Sequence, residues 1–317
     1  MIVSIFLIII GFASLIFGAN WLVDGASTLA KKYKISDLTI GLTIVAFGTS
    51  APELVVNAIA SFQGHSDIVI GNIIGSNNFN LYIILGLSGI IFPITVQSST
   101  VWREIPISIF AALMIFVLGN GILISNVSEV SRIDGIILFM IFGFFLYFLY
   151  KQMKAEDNKE ITLVKKTNFN IWGLIIGGLF GLIIGGQLVV NNSILIATNI
   201  GVSEKIMGLT IIAAGTSLPE LLTSVVAAMK KNSDIAIGNV IGSNIFNILF
   251  ILSISSFIKP VTFNANFNLD ILILIGGTLF LFIAMFIGKR KKIDRWESAL
   301  LLGFYLLYTI YLIWKEI

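Results

Sequence analysis

Residues 41–54 read GLTIVAFGTSAPEL, and residues 208–221 read GLTIIAAGTSLPEL. The offset of 167 persists without a gap into DIVIGNIIGSNNFN (67–80) and DIAIGNVIGSNIFN (234–247). Between 36–80 and 203–247, 25 of 45 positions are identical. Chance likeness between apolar sequences would not keep Gly, Thr, Ser, Pro, Glu and Asn in register, so the chain carries an internal duplication. Each copy places one acid, Glu53 or Glu220, inside a stretch otherwise fit for lipid. A carboxylate at bilayer depth costs at least about 2.5–3.5 kcal/mol, so a matched pair implies a purpose that outweighs the cost.

The surrounding composition is that of a membrane protein. Of 317 residues 57% are hydrophobic and only 12% charged, with a mean hydropathy of +0.99. Soluble domains carry about 25% charged residues. Apolar stretches near the roughly 20 residues needed to cross hydrocarbon occur at 3–23, 38–62, 67–93, 105–125, 133–150, 171–197, 205–229, 234–258, 268–288 and 296–314. The expected fold is an all-α integral membrane protein of ten transmembrane helices. The first stretch has the length of a signal-peptide core, but no Lys or Arg precedes it, and it reads as the first spanning helix.

Basic residues stay preferentially in cytoplasmic loops. Sixteen of the 20 Lys and Arg residues follow odd-numbered stretches. Both termini are therefore expected outside the cytoplasm, in a multi-pass protein of the plasma membrane. The net charge of +3 records this topology and gives no reason to propose nucleic acid as a partner. There is no cysteine, and the single histidine, His65, falls in a short loop, which excludes disulfides and the usual zinc sites.

Ten stretches divide into residues 1–150 and 169–317, with a linker at 151–168 whose sequence begins KQMKAEDNKEITLVKK. Five helices per copy is an odd number, so the second copy enters from the opposite side. The expected arrangement is a pair of inverted five-helix repeats, which in transporters places the site near the bilayer midplane. Inversion brings Glu53 and Glu220 to the same depth, where two carboxylates can share a cation.

The neighbours suit that use. In GTSAPE and GTSLPE the proline lacks a backbone donor and disfavours helix at the residue before it, while glycine permits unusual backbone angles. A helix break is expected, of the kind tolerated at depth when freed carbonyls line a cavity. Thr49, Ser50, Thr216 and Ser217 add hydroxyls. Ser76 and Asn80 are spaced i, i+4, as are Ser243 and Asn247, so each pair can face one cavity. Calcium takes six to eight hard oxygen ligands, and sodium accepts the same oxygen types with half the charge. Blander readings apply elsewhere. Gly71, Gly75, Gly238 and Gly242 fit close helix packing, and Asp24 and Asp37 fit solvated helix ends. Asn72 and Asn239 serve either as interhelical hydrogen-bond partners or beside an ion pathway.

The paired motifs GTSAPE…GNIIGSNNFN and GTSLPE…GNVIGSNIFN resemble the two alpha-repeats of the sodium/calcium exchanger family, within the calcium/cation antiporters. The resemblance covers the whole ten-helix layout. It implies a sodium/calcium antiporter in which Glu53 and Glu220 bind calcium with oxygens of Thr49, Thr216, Ser50, Ser217, Ser76, Ser243, Asn80 and Asn247 and the carbonyls of Ala46 and Ala213. Sodium ions would use overlapping oxygens, and the first and sixth helices would slide across the other eight. Asparagine at position 247, where potassium-dependent relatives carry aspartate, implies no potassium dependence. The proton/calcium branch, which typically shows Gly-Asn-x-x-Glu in place of GTSAPE, is the alternative, followed by a cation channel. The Gly-x-Gly-Asp motif of intramembrane aspartyl proteases is absent, so no enzyme activity is expected. The expected partners are calcium, sodium and the lipid bilayer, with no cofactor and no required protein partner.

Overall fold

The computed structural model describes residues 2–122, 128–155, 167–199, 213–287 and 291–316. It is almost wholly helical: α1 (Ile2–Tyr33), α2 (Asp37–Thr49), α3 (Ala51–Gln63), α4 (Ser66–Ile91), α5 (Thr100–Gly119), α6 (Arg132–Ala155), α7 (Asn168–Asn199), α8 (Ala213–Thr216), α9 (Leu218–Met229), α10 (Ser233–Ile258), α11 (Ala265–Ala284) and α12 (Arg295–Glu316). Among the described residues seven helices are long and apolar enough to cross a bilayer, and α2 with α3, bent by 47°, makes an eighth. Residues 205–212 of the predicted stretch 205–229, and residues 156–166 of the linker 151–168, lie outside the described residues.

α4 and α10 form the centre. In their most apolar windows, 67% of α4 and 94% of α10 is buried, against 28% for α1 and 33% for α7. One apolar core joins α4, α5, α6, α10 and α11 through residues such as Ile73, Leu81, Ile115, Phe145, Ile241 and Leu249. A second, separate core lies under α1 and α7, built on Leu15, Leu22, Ile175 and Leu182 and closed by Ile40, Val45 and Val226.

α1 and α7 cross antiparallel at close range. A Cβ at Gly18 would lie 2.8 Å from the carbonyl of Gly178, and one at Gly178 would lie 2.8 Å from that of Gly18. Only glycine permits the approach, and the Ser14 hydroxyl uses it to donate to the Gly181 carbonyl at 2.8 Å. With no hydrophobic drive between helices in lipid, such backbone proximity and polar contact hold them together.

Paired contacts recur across the two halves. Strand β1 (Ile94–Thr95) pairs with β4 (Lys292–Ile293), and β2 (Glu129–Val130) with β3 (Val261–Thr262), both antiparallel and both joining one half to the other. The last helix of each half is capped alike. Ser131 donates from its backbone to Asp134 at 2.8 Å at the start of α6, and Asp294 to Glu297 at 2.6 Å at the start of α12. Gly238 and Gly242 pack against α2, where a Cβ would meet the Leu38 carbonyl at 2.9 Å and the Ala46 methyl at 2.8 Å. Gly71 and Gly75 make no such approach: the nearest atom is 3.5 Å away at Gly71, and nothing among the described residues comes within 4 Å at Gly75.

Candidate functional site

The expected breaks fall at Ser50 (φ −81°, ψ 7°) and Ser217 (φ −88°, ψ 9°), each leaving the helical region for one residue. Pro52 and Pro219 sit in the first turn of α3 and α9, where their missing N–H costs no bond. Glu53 and Glu220 follow in the same first turns, at the end of the helix whose dipole favours a negative charge. Both are buried, at 1% and 0% exposure.

Each half holds the other's carboxylate. The Ser50 hydroxyl donates to Glu220 Oε1 at 2.9 Å, and the Ser217 hydroxyl donates to Glu53 Oε1 at 3.1 Å. Behind them, Asn57 donates to the Glu53 carbonyl at 2.8 Å and to Asn72 Oδ1 at 2.7 Å. Asn239 donates to the Glu220 carbonyl at 3.2 Å and to the Ser224 hydroxyl at 2.8 Å. Thr49 donates to Asn239 Oδ1 at 3.1 Å, and Asn72 donates to the Thr216 hydroxyl at 3.4 Å. Asn72 and Asn239 are thus interhelical hydrogen-bond partners that fix the broken segments. Asn57 and Ser224, equivalent positions in the two copies, share that role; their register was visible in the sequence, but neither stands in the GTS or GSN motif.

The remaining oxygens are free. Glu53 Oε2, Glu220 Oε2, Ser76 Oγ, Ser243 Oγ, Asn80 Oδ1 and Asn247 Oδ1 are buried and have no hydrogen-bond partner among the described residues. They form three equivalent pairs, contributed by the motif residues of both copies. Ion pairs such as Lys230 with Asp24 and Lys292 with Asp294 lie elsewhere, and neither glutamate has a basic partner among the described residues. A buried oxygen without a donor costs about 1–3 kcal/mol, more for a charged group. Six in matched pairs make up a set of hard oxygens of the chemical type that a cation takes.

The Ala46 carbonyl is not freed by the break: it accepts from the Ser50 backbone at 3.0 Å and from the Thr49 hydroxyl at 3.3 Å. The reason is local, since the backbone leaves the helical region only at Ser50, whose own N–H still makes the last bond of the turn. Ala213 heads the four-residue turn α8. Glu104, which the sequence places at a span edge, is fully buried, and both its carboxylate oxygens lack a partner among the described residues.

The family described as "Sodium/calcium exchanger protein" matches residues 3–151 and 170–314, separately covering both halves. The chain is 35% identical to the sodium/calcium exchanger MaX1 of Methanosarcina acetivorans, over 98% of both chains. It is also 35% identical to the putative antiporter CaxA of Alkalimonas amylolytica, over 95% of this chain and 96% of that one. The solved structure of the sodium-calcium exchanger NCX_Mj superposes with a TM-score of 0.84 at 32% identity, covering 98% of each chain. Duplicated motif, interlocked carboxylates and full-length likeness agree: the chain belongs to the sodium/calcium exchanger family.

Proposed function

We propose that this protein exchanges sodium for calcium across a membrane by alternating access, with Glu53 and Glu220 as the charged ligands of a single shared site. The observation that carries this reading is the set of six buried oxygens on Glu53, Glu220, Ser76, Ser243, Asn80 and Asn247 that have no partner among the described residues. Ser50, Ser217, Thr49 and Thr216 orient the carboxylates and are placed to add hydroxyl oxygen. The Ala46 carbonyl would join only when the Thr49 hydroxyl turns away, and Ala213 is its counterpart.

The chain on this reading has ten spans arranged as inverted repeats, residues 1–150 and 169–317, with α9 and α12 belonging to the two spans beyond the eight counted above. The reciprocal Ser50–Glu220 and Ser217–Glu53 bonds support the inversion, as do the crossed strand pairs. Basic-residue placement supports a plasma-membrane protein with both termini outside the cytoplasm.

The coupling follows from charge. Two ionised carboxylates leave an empty site near −2, and transferring that charge through a low-dielectric pathway is costly. Calcium, or sodium ions competing for the same oxygens, neutralises the site and permits the change of side. Calcium-45 uptake into proteoliposomes tests the reading. Uptake driven by internal sodium, and absent with internal potassium or a proton gradient alone, is the expected result. Uptake that follows protons, or that ignores sodium altogether, overturns it in favour of proton exchange or a channel.

A further inference from the structure

Beside the six free oxygens lies a closed lattice of four asparagines in α4 and α10, of which Asn77 and Asn244 carry no role in the site described so far. Asn77 Nδ2 donates to the backbone carbonyl of Asn244, and Asn244 Nδ2 donates to that of Asn77, both at 3.3 Å. Asn247 Nδ2 donates to Asn77 Oδ1 at 2.9 Å, and Asn80 Nδ2 donates to Asn244 Oδ1 at 3.0 Å. All four residues are at most 1% exposed.

An amide side chain can present either its oxygen or its nitrogen to a neighbour, and the two ends differ little in shape. A backbone carbonyl cannot turn round. It accepts only, so the Asn244 carbonyl fixes Asn77 with nitrogen toward it and oxygen away. That oxygen must then meet a donor, which fixes Asn247 with its nitrogen toward Asn77. The Asn247 oxygen is left as the end facing elsewhere, and it is buried without a partner among the described residues. The same chain of reasoning, run from the Asn77 carbonyl through Asn244, leaves the Asn80 oxygen free.

We infer that Asn77 and Asn244 are positioning residues that set the amide polarity of Asn247 and Asn80, so that the pocket presents carbonyl oxygen and never an amide N–H to the cation. A cation meeting the NH2 end would face a positive partial charge in a dry site, where such a mistake is expensive. The π-helical stretches Phe79–Ile84 and Phe246–Ile251 begin directly before Asn80 and Asn247 and set the register of the lattice. Wide turns of this kind concentrate at functional sites.

This inference rests on Asn80 and Asn247 being ligands, and the test separates the two ideas. Calcium binding is measured on purified, monodisperse protein for Asn77→Leu, Asn247→Ala and the double variant. Leucine keeps the branched outline of asparagine, in a somewhat larger volume, but offers no acceptor, so Asn247 loses its orientation. Asn77→Leu is expected to weaken calcium binding about tenfold, and the double variant to bind no more weakly than Asn247→Ala alone, because Asn77 acts only through Asn247. Losses that multiply in the double variant, or unaltered affinity in Asn77→Leu, overturn the positioning role. Unaltered affinity in Asn247→Ala instead overturns the ligand reading beneath it. Asn244→Leu with Asn80→Ala, the equivalent pair in the other copy, carries the same double-variant comparison if Asn77→Leu does not fold, and losses that multiply there count against the inference.

Discussion

At the scale of single residues, buried charge with no counter-charge separates the functional from the structural. Glu53 and Glu220 each have one carboxylate oxygen held by the opposite half's serine and one without a partner among the described residues. Glutamine keeps the shape and removes the charge. Glu53→Gln and Glu220→Gln are each expected to cut sodium-driven calcium uptake to below about a third of native, while the protein still elutes as a single species. Glu104 provides the contrast. Its carboxyl is buried with neither oxygen partnered among the described residues, and it stands outside the paired motif. An unsatisfied buried polar group costs about 1–3 kcal/mol, so Glu104→Leu is expected to raise the melting temperature and leave exchange intact. A fall in exchange would give Glu104 a transport role. The first pair was legible in the sequence because an acid in mid-span has few alternative explanations. Glu104 was not, because a carboxyl at a span edge reads as solvated until neighbouring helices are seen to cover it. Asp24 does behave as an edge residue, 56% exposed even while paired with Lys230.

At the scale of elements, hydropathy located most helices but said little about their internal turns. A helix buried on nearly every side, as α10 is, has no polar face to set a period, so nothing in its sequence announces the π stretch at Phe246–Ile251. The lattice of Asn77 and Asn244 escaped for the same reason, since a widened turn decides which of three nearby asparagines face one another. The breaks at Ser50 and Ser217 were legible because proline chemistry is local. Glycine was only half legible: its spacing suggested packing throughout, yet Gly75 and Gly242 occupy equivalent positions with opposite surroundings. That difference makes a direct test on α7. At Gly178 a Cβ would stand 2.7 Å from the Leu22 backbone nitrogen, whereas at Gly173 nothing among the described residues lies within 4 Å. Backbone cannot yield as a side chain does, so Gly178→Ala must force α1 and α7 apart. It is expected to lower the melting temperature and slow calcium uptake, with Gly173→Ala indistinguishable from native in both measurements. Equal effects at the two positions would remove close packing as the reason for Gly178.

At the scale of the whole molecule, α1 and α7 stand apart as a pair, glued to each other by glycine contacts. They meet the other body, built on the core of α4, α5, α6, α10 and α11, along a second core to which Ile40 and Val45 of α2, Val226 of α9 and Ile235 of α10 contribute. An alternating-access cycle that moves α1 and α7 together needs the contacts between the bodies to be weak and replaceable. The contact at the end of α9 has that character: Lys230 pairs with Asp24 of α1 at 2.9 Å and donates to the Asn20 carbonyl at 3.2 Å, with both side chains partly exposed. An exposed pair of this kind contributes about 0–1 kcal/mol. Neutralising it with Asp24→Asn is therefore expected to change exchange by less than about fivefold. Making the same contact permanent should have the opposite consequence. The chain contains no cysteine, so Asp24→Cys with Lys230→Cys introduces the only two thiols, and a short bifunctional thiol reagent joins α1 to α9 without competing products. Calcium uptake by the cross-linked protein is expected to fall to the background of empty liposomes and to return when a reducible linker is cut, while calcium binding to the purified protein persists. Undiminished uptake after complete cross-linking would mean that α1 and α9 move as one body, and the division of the fold into a sliding pair and a fixed core would have to be redrawn.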